Sequence, residues 1–392
     1  MRTVLTALAL AALLASPKAD PVQAGGPAIL HVDAQRGKDS DPGTEREPLK
    51  SLSAALALLP EPLRRSARIE VVGLHETTGG RGMDDNVLAL AHRMRPGCEV
   101  RIVGRRDGAG EVPVLAWKGG SAMVEAREGT WRLENLRIGT FSTEQRRGVV
   151  VEGPASLTLK DLTLRTRSRS DAGILARRGG LVMLRGAIRL NEDLHEEAPD
   201  ESFCGIVATE HGIVRFEERE GATLDIGNGS LSASLYGCIG LGCSSARITS
   251  WGRQSNNLAV NCGGRIDLHG TPTTLCARRP ENTPIGPEHD GHILAEDAHI
   301  RIVGENECAI ALQKASTFTC NDIELAGRFR KTLWAMSGSV FVGRFLSDMT
   351  QVEAHTGAGV HIEAIRGECK GPVIATSGGV ISLPGRVVTA FE

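Results

Sequence analysis

Aromatic side chains are scarce: one tyrosine (Tyr236), four tryptophans and eight phenylalanines make up 3% of 392 residues. So few rings argue against the many stacking subsites of a groove built for neutral glycans, though not against an acidic glycan held by arginine. An excess of charge of either sign is also missing. The formal net charge is −2, so no basic surplus marks a nucleic-acid partner. Beyond the N-terminal segment no run is apolar enough to cross a bilayer. Zinc spacing is absent too: Cys238 and Cys243 are the closest of the nine cysteines, and no histidine follows them at ligand distance.

The N-terminus carries an export signal. Arg2 supplies a positive start, Val4 to Leu14 an apolar stretch too short to span a membrane, and Val22-Gln23-Ala24 a small-residue cleavage site. Residues 1–24 therefore read as a signal peptide, with cleavage after Ala19 as the alternative. No cysteine follows closely enough for a lipid anchor, the first being Cys98. Removing Arg2, Lys18 and Asp20 takes away a net +1, which moves the mature chain from −2 to −3. The expected location is secreted or periplasmic, where nine cysteines lean towards disulfides with one left over.

Glycine is abundant, at 47 residues, which suits a chain that turns many corners. Segments such as "VVVEGPASLTL", "ILARRGGLVML", "IVATEHGIVRF" and "VIATSGGVISL" share one form: a short alternating strand, a polar corner, a second alternating strand. Aligning their third residues gives the column Ala126, Val151, Ala176, Ala208, Leu241, Val260, Ala295, Leu312, Ala335, Ala354 and Ala375. Self-similarity at this spacing is a solenoid signal, and without helical periodicity it predicts a parallel β-helix over residues 67–388. The two residues after the column set Arg127, Glu152 and Arg177 side by side, as well as Arg178 with Glu210 and Asp297 with Lys314. Complementary ladders of this kind fix register. Cys243 and Cys262 also fall in that column, in consecutive coils, which predicts a disulfide between them.

The entry stretch "HVDAQRGKDSDPGTEREPLKSLSAAL" resembles the start of right-handed parallel β-helix proteins of the pectate-lyase-like superfamily. Gly37, Asp39, Gly43, Thr44 and Pro48 stand where those proteins have a turn and a proline before a short helix, expected here from Leu52 to Leu59 with Ser51 as N-cap. The resemblance implies an all-β, right-handed parallel β-helix (solenoid) at 67–392, preceded by a strand and capping helix at 25–66. No catalytic signature of that superfamily's lyases or hydrolases is recognisable, so no family active site is carried over.

Three steps of the column are long: 176 to 208, 208 to 241 and 260 to 295. Long loops on a rigid scaffold are where function concentrates. The first loop holds Glu192, Asp193, His195, Glu196, Glu197, Asp200 and Glu201, oxygen donors of the kind that bind Ca²⁺, although acidic loops are usually only solvated. The third, 271–292, carries Arg278 and Arg279 for binding carboxylate or sulfate, and His289, Asp290 and His292. On the strand before it, Asp267 and His269 point outwards if Ile266 and Leu268 point in.

Two functions follow as expectations. One is a secreted polysaccharide lyase or glycoside hydrolase acting on an acidic glycan. Asp267, His269 and His289 would be its catalytic residues and Arg278, Arg279 and His292 its substrate-binding ones, with Asp267 and Asp290 as the hydrolase pairing. The other is a non-catalytic envelope, adhesion or carbohydrate-binding β-helix, favoured by the missing signature and the self-paired ladders.

Overall fold

The computed structural model describes residues 28–77, 87–117, 122–140, 147–166, 172–192, 204–251 and 256–389. The signal segment and most of the acidic loop (193–201) lie outside the described residues, so the Ca²⁺ expectation falls there, apart from Glu192. Among the described residues no helix is long and apolar enough to cross a membrane.

Apolar residues at every second position produce strands rather than helices here, because only a period of two keeps one side of each segment apolar. The strands fall into three tracks. Face A holds Ala28–Asp33, Ala67–Val72 and Val100–Gly104, and continues through Ile213–Phe216, Cys238–Gly240 and Arg265–Asp267 to Val380–Leu383. Face B runs from Leu74–Thr77 and Val114–Trp117 through Thr223–Ile226, Ser245–Ser250 and Thr273–Ala277. Face C runs from Leu88–Leu90 and Ala122–Ala126 to Val373–Thr376. The chain visits A, B and C in turn, and each strand pairs in parallel with the one a circuit earlier. His292–Leu312 and Thr317–Ala335 bend through all three faces without a break. Among the described pairings only the last is antiparallel, where Arg386–Thr389 folds back on Val380–Leu383.

Parallel register stacks like on like. On face A, Val182, Val214, Ile239, Ile266, Ile293, Phe318 and Phe341 form one buried inward column. On face B, Leu164, Leu190, Ile226, Ile248, Leu275 and Ile302 do the same. Face C presents the smaller Ala176, Ala208, Ala233 and Val260, which lets the three walls approach. Each buried Val, Leu, Ile or Phe stabilises the stack by about 1.5–3 kcal/mol, and one circuit alone could not shield them.

The entry forms as its residues dictate. Asp39 Oδ1 accepts from the Lys50 and Ser51 amides at 3.1 and 2.8 Å, tying the turn to the helix start. Gly37 is needed because a Cβ would sit 2.2 Å from the Leu49 carbonyl oxygen. The helix, Leu52–Ala57, is shorter than expected, with Leu58 as its C-cap. Ser51 Oγ accepts from the Ala54 amide at 3.1 Å, and Leu52, Ala55 and Leu56 are buried.

Two rungs of the expected column are corrected. The residues beside Ala208 and Val260 are Ala233 and Pro287; Leu241 follows a face A strand, and Ala295 pairs with Cys320 between faces A and B. Faces A and C alternate alike, so "IGLGCSSARIT" and "ILAEDAHIRIV" pass for rungs of C while belonging to A and its corner with B. With the register restored, the steps from 208 through 233, 260 and 287 to 312 are 25, 27, 27 and 25 residues. The second and third long loops therefore disappear: residues 271–292 form an ordinary circuit containing Thr273–Ala277 and Ile285–Pro287. Only the step from 176 to 208 stays long.

The expected disulfide fails for the same reason. Cys243 is buried at the corner between A and B, Cys262 is exposed at the corner between C and A, and both thiols are free. Asp297 and Lys314 are likewise at different corners. The remaining ladder forms, with Arg177 to Glu152 at 2.8 Å and Arg178 to Glu210 at 3.2 Å.

Candidate functional site

The corner from C to A is a stacked tight turn. Its two central residues both have positive φ: 49° and 64° at Glu210 and His211, 47° and 63° at Leu235 and Tyr236, 48° and 59° at His289 and Asp290. Each turn closes with a bond such as Gly237 N–H to Ser234 C=O, 2.8 Å, as a type I′ turn does. The turns are also bonded to one another: Gly179, His211, Tyr236, Gly263, Asp290, Ala315, Gly338 and Gly357 each donate an amide N–H to the next circuit's carbonyl, the last at Ser377.

This geometry scatters the expected site over three corners. Asp267 and His269 lie on face A and at its edge: Asp267 Oδ1 is 3.3 Å from His269 Nδ1, and Oδ2 accepts from Arg265 at 2.8 Å. Ile266 and Leu268 point inwards, as the alternation predicts. Arg219 donates to the His269 carbonyl at 3.0 Å, and the group borders shallow cavities of about 230 and 410 Å³. His292 begins the next face A strand beside Arg265, its Nδ1 2.7 Å from Thr317 Oγ1. His289 and Asp290 are turn residues at the C-to-A corner. Lys314 Nζ lies 2.6 Å from His289 Nε2 and occupies the lone pair a base would use. Arg278 and Arg279 stand at the B-to-C corner, Arg278 Cζ 5.2 Å from the Trp251 ring centroid and Arg279 Nε donating to the Trp251 carbonyl at 3.2 Å. No single groove receives all six side chains.

A different surface gathers chemistry. The residue just before each rung of the face C column points outwards, and register orders these as Glu125, Val150, Leu175, Val207, Ser232, Ala259, Gly286, Ala311, Trp334 and Glu353. The early part of this line is covered: Val150 and Leu175 pack with Ala122 and Ala172 in a separate buried cluster. From Ser232 to Ala311 the side chains are small, and the line then meets the half-buried Trp334. There it opens into a cavity of about 630 Å³ lined by Glu281, Glu307, Gln313, Lys331 and Trp334 among others. Lys331 Nζ stands 5.8 Å from the Trp334 ring centroid.

Beside the cavity, Glu353 is buried, 7% exposed, and fully partnered. It takes Lys331 Nζ at 3.0 Å and His355 Nε2 at 3.1 Å, with Gln351 against its other oxygen. Burial pushes its pKa up, but the hydrogen bonds from His355 and Lys331 outweigh that and hold the carboxyl below its ordinary range. Among the described residues, no group of three or more His, Cys, Asp and Glu side chains is placed to hold a metal.

No family model matches the chain, and no curated protein matches it. Two solved structures of a GH136 lacto-N-biosidase from Eubacterium ramulus are similar to it in shape. The native protein has a TM-score of 0.38 at 12% identity and the selenomethionine derivative 0.32 at 10%, each comparison covering 91% of this chain and 68% of that one. Overlap this loose carries no inference about chemistry.

Trp334, Lys331, Glu353 and His355 were not among the expected site residues. For Trp334 and Glu353 the signal lay in "LWAM" and "VEAH", one residue ahead of the aligned alanines; His355 stands one residue after its alanine, and Lys331 had no signal in the column.

Proposed function

We propose that this chain binds a polysaccharide along the outer side of face C, with Trp334 as its stacking platform. The observation that carries this is a single tryptophan ringed by polar side chains at the end of a floor of small residues. The small side chains of Ser232, Ala259 and Ala311 let a sugar chain approach the sheet, while the Asn256 amide lies over Gly286 between them. Glu281, Glu307, Gln313 and Lys331 supply donors and acceptors for hydroxyl groups. Binding is favoured over cleavage. A glycosidase needs a carboxyl that gives up a proton and a second carboxylate across the bond; of the carboxylates at the cavity, Glu353 is held ionised by its partners and Glu307 is paired with Arg330 at 2.8 Å, which leaves Glu281 alone. His289 and the two arginines Arg278 and Arg279 stand at other corners than the Asp267–His269 pair, which lends a lyase no support.

The parallel stacking further supports a right-handed β-helix, since parallel crossovers take that hand in about 98% of cases. In the same reading the helix Leu52–Ala57 closes the open end of the first circuit. A crystal structure with left-handed circuits would refute this architecture.

Affinity electrophoresis against neutral and acidic polysaccharides tests the binding site. Trp334→Ala is expected to weaken binding at least about tenfold, the loss of one stacked ring, while Trp334→Phe keeps most of it. Unchanged binding by the alanine variant would discard the groove. Release of reducing ends or unsaturated sugars by the wild type would replace the binding reading with an enzymatic one.

A further inference from the structure

Face B carries a charge pattern that its own side chains do not absorb. Register sets Arg137 beside Thr163, then Arg189, Asp225, Arg247, Thr274, Arg301 and Glu324 in one outward column. From 137 to 301 every second rung is arginine. With circuits about 4.8 Å apart, these rungs recur about every 9.6 Å along a straight line.

Outward arginines on the other strands and corners are in many cases neutralised by a neighbouring carboxylate, as Arg177 is by Glu152 at 2.8 Å and Arg265 by Asp267 at 2.8 Å. On face B, the side chains of Arg137 and Arg247 have no hydrogen-bond or ion-pair partner among the described residues. Arg189 and Arg301 reach Glu192 and Glu324 only at 3.6 Å, and all four guanidinium side chains are exposed. Exposed pairs at that range hold little energy and exchange readily for another anion. Arg137, Thr163 and Arg189 also line, with Arg106, a shallow cavity of about 370 Å³. The Asp161 carboxylate bordering it is engaged by the Ala187 amide at 3.0 Å.

We propose that face B is a docking track for a linear acidic polysaccharide bearing one carboxylate or sulfate on alternate sugars. Such a chain presents anions at an interval matching two circuits, and guanidinium groups grip carboxylate or sulfate in forked geometry. The intervening Thr163 and Thr274 hydroxyls can bond the uncharged sugars. Asp225, midway between Arg189 and Arg247, repels a polymer charged on every unit, which argues against polyuronates and nucleic acid. This track lies on a different face from the Trp334 groove and does not depend on it.

The test is calorimetry of the full chain at low salt with hyaluronan oligosaccharides, which carry a carboxylate on alternate sugars. Polygalacturonate, oligo-dT and neutral dextran serve as comparisons. Hyaluronan should bind, more weakly as salt rises, and R137Q/R189Q/R247Q/R301Q should lose at least tenfold. The four-lysine counterpart, which keeps the charge but not the fork, should bind between the wild type and the glutamine variant. Circular dichroism melting checks folding. Should the glutamine variant not fold, R137Q/R189Q and R247Q/R301Q are measured separately, each expected to lose several-fold. The proposal is overturned if the wild type ignores hyaluronan, if the glutamine variants bind it unchanged, or if polygalacturonate or oligo-dT binds as tightly.

Discussion

Glu353 shows how one residue's neighbours decide its use. Its pairing with Lys331 and His355 stabilises the fold only while the carboxyl is ionised. Because its folded value lies below the ordinary 4.5, that contribution is present at neutral pH and fades as pH falls below about 4.5. Glu353→Gln should therefore cost about 1–3 kcal/mol at pH 7 by denaturant titration, with the gap to wild type closing in stronger acid. A gap that persists at pH 3 would mean the residue acts by shape alone. The cysteines divide similarly. Cys262 is exposed, whereas burial pushes the Cys308 and Cys320 thiols up to about 12. A maleimide at pH 8 should label Cys262 first and leave Cys308 and Cys320 untouched until the chain unfolds, read by peptide mass spectrometry.

Among elements, the C-to-A corner explains much of the glycine content. A Cβ on Gly237 would stand 2.1 Å from the Ala208 carbonyl oxygen, and on Gly212 2.1 Å from that of Ala176. Gly237→Ala should destabilise by about 1–3 kcal/mol in a denaturant melt, since the backbone of the previous circuit must give way. A melt identical to wild type would show that the corner relaxes freely. The strands and these corners were legible in the sequence because alternation and glycine are local signals. So was Ser51 as N-cap. Which face a strand joins was not legible: Cys238–Gly240 and Ala233 offer the same small, alternating pattern, and only the stacking partner tells them apart. That slip of one strand invented a loop at 271–292 and drew Arg278, His289 and Asp267 into one imagined cleft. Trp334 was overlooked because outward positions were sought only after the alanine column.

Across the whole molecule the three faces share one core and differ only outside it. Face C offers a ring and hydroxyl-bonding groups, face B guanidinium groups that are unpaired or loosely paired, and the corner between C and A a continuous hydrogen-bonded seam. In that seam each circuit contributes one peptide unit whose N–H points towards the C-terminal end and whose C=O points back. Such units add head to tail, each about 3.5 D, as they do in an α-helix. The stack is therefore electrically polar along its length. Pro154 has no N–H to give, which leaves the Arg178 carbonyl as the negative terminus, while the Gly378 amide forms the positive one. Arg127, Arg177 and Arg178 crowd the negative end, where a macrodipole rewards cations; the far end, floored by Ser377 and Gly378, is the one disposed to meet an anion.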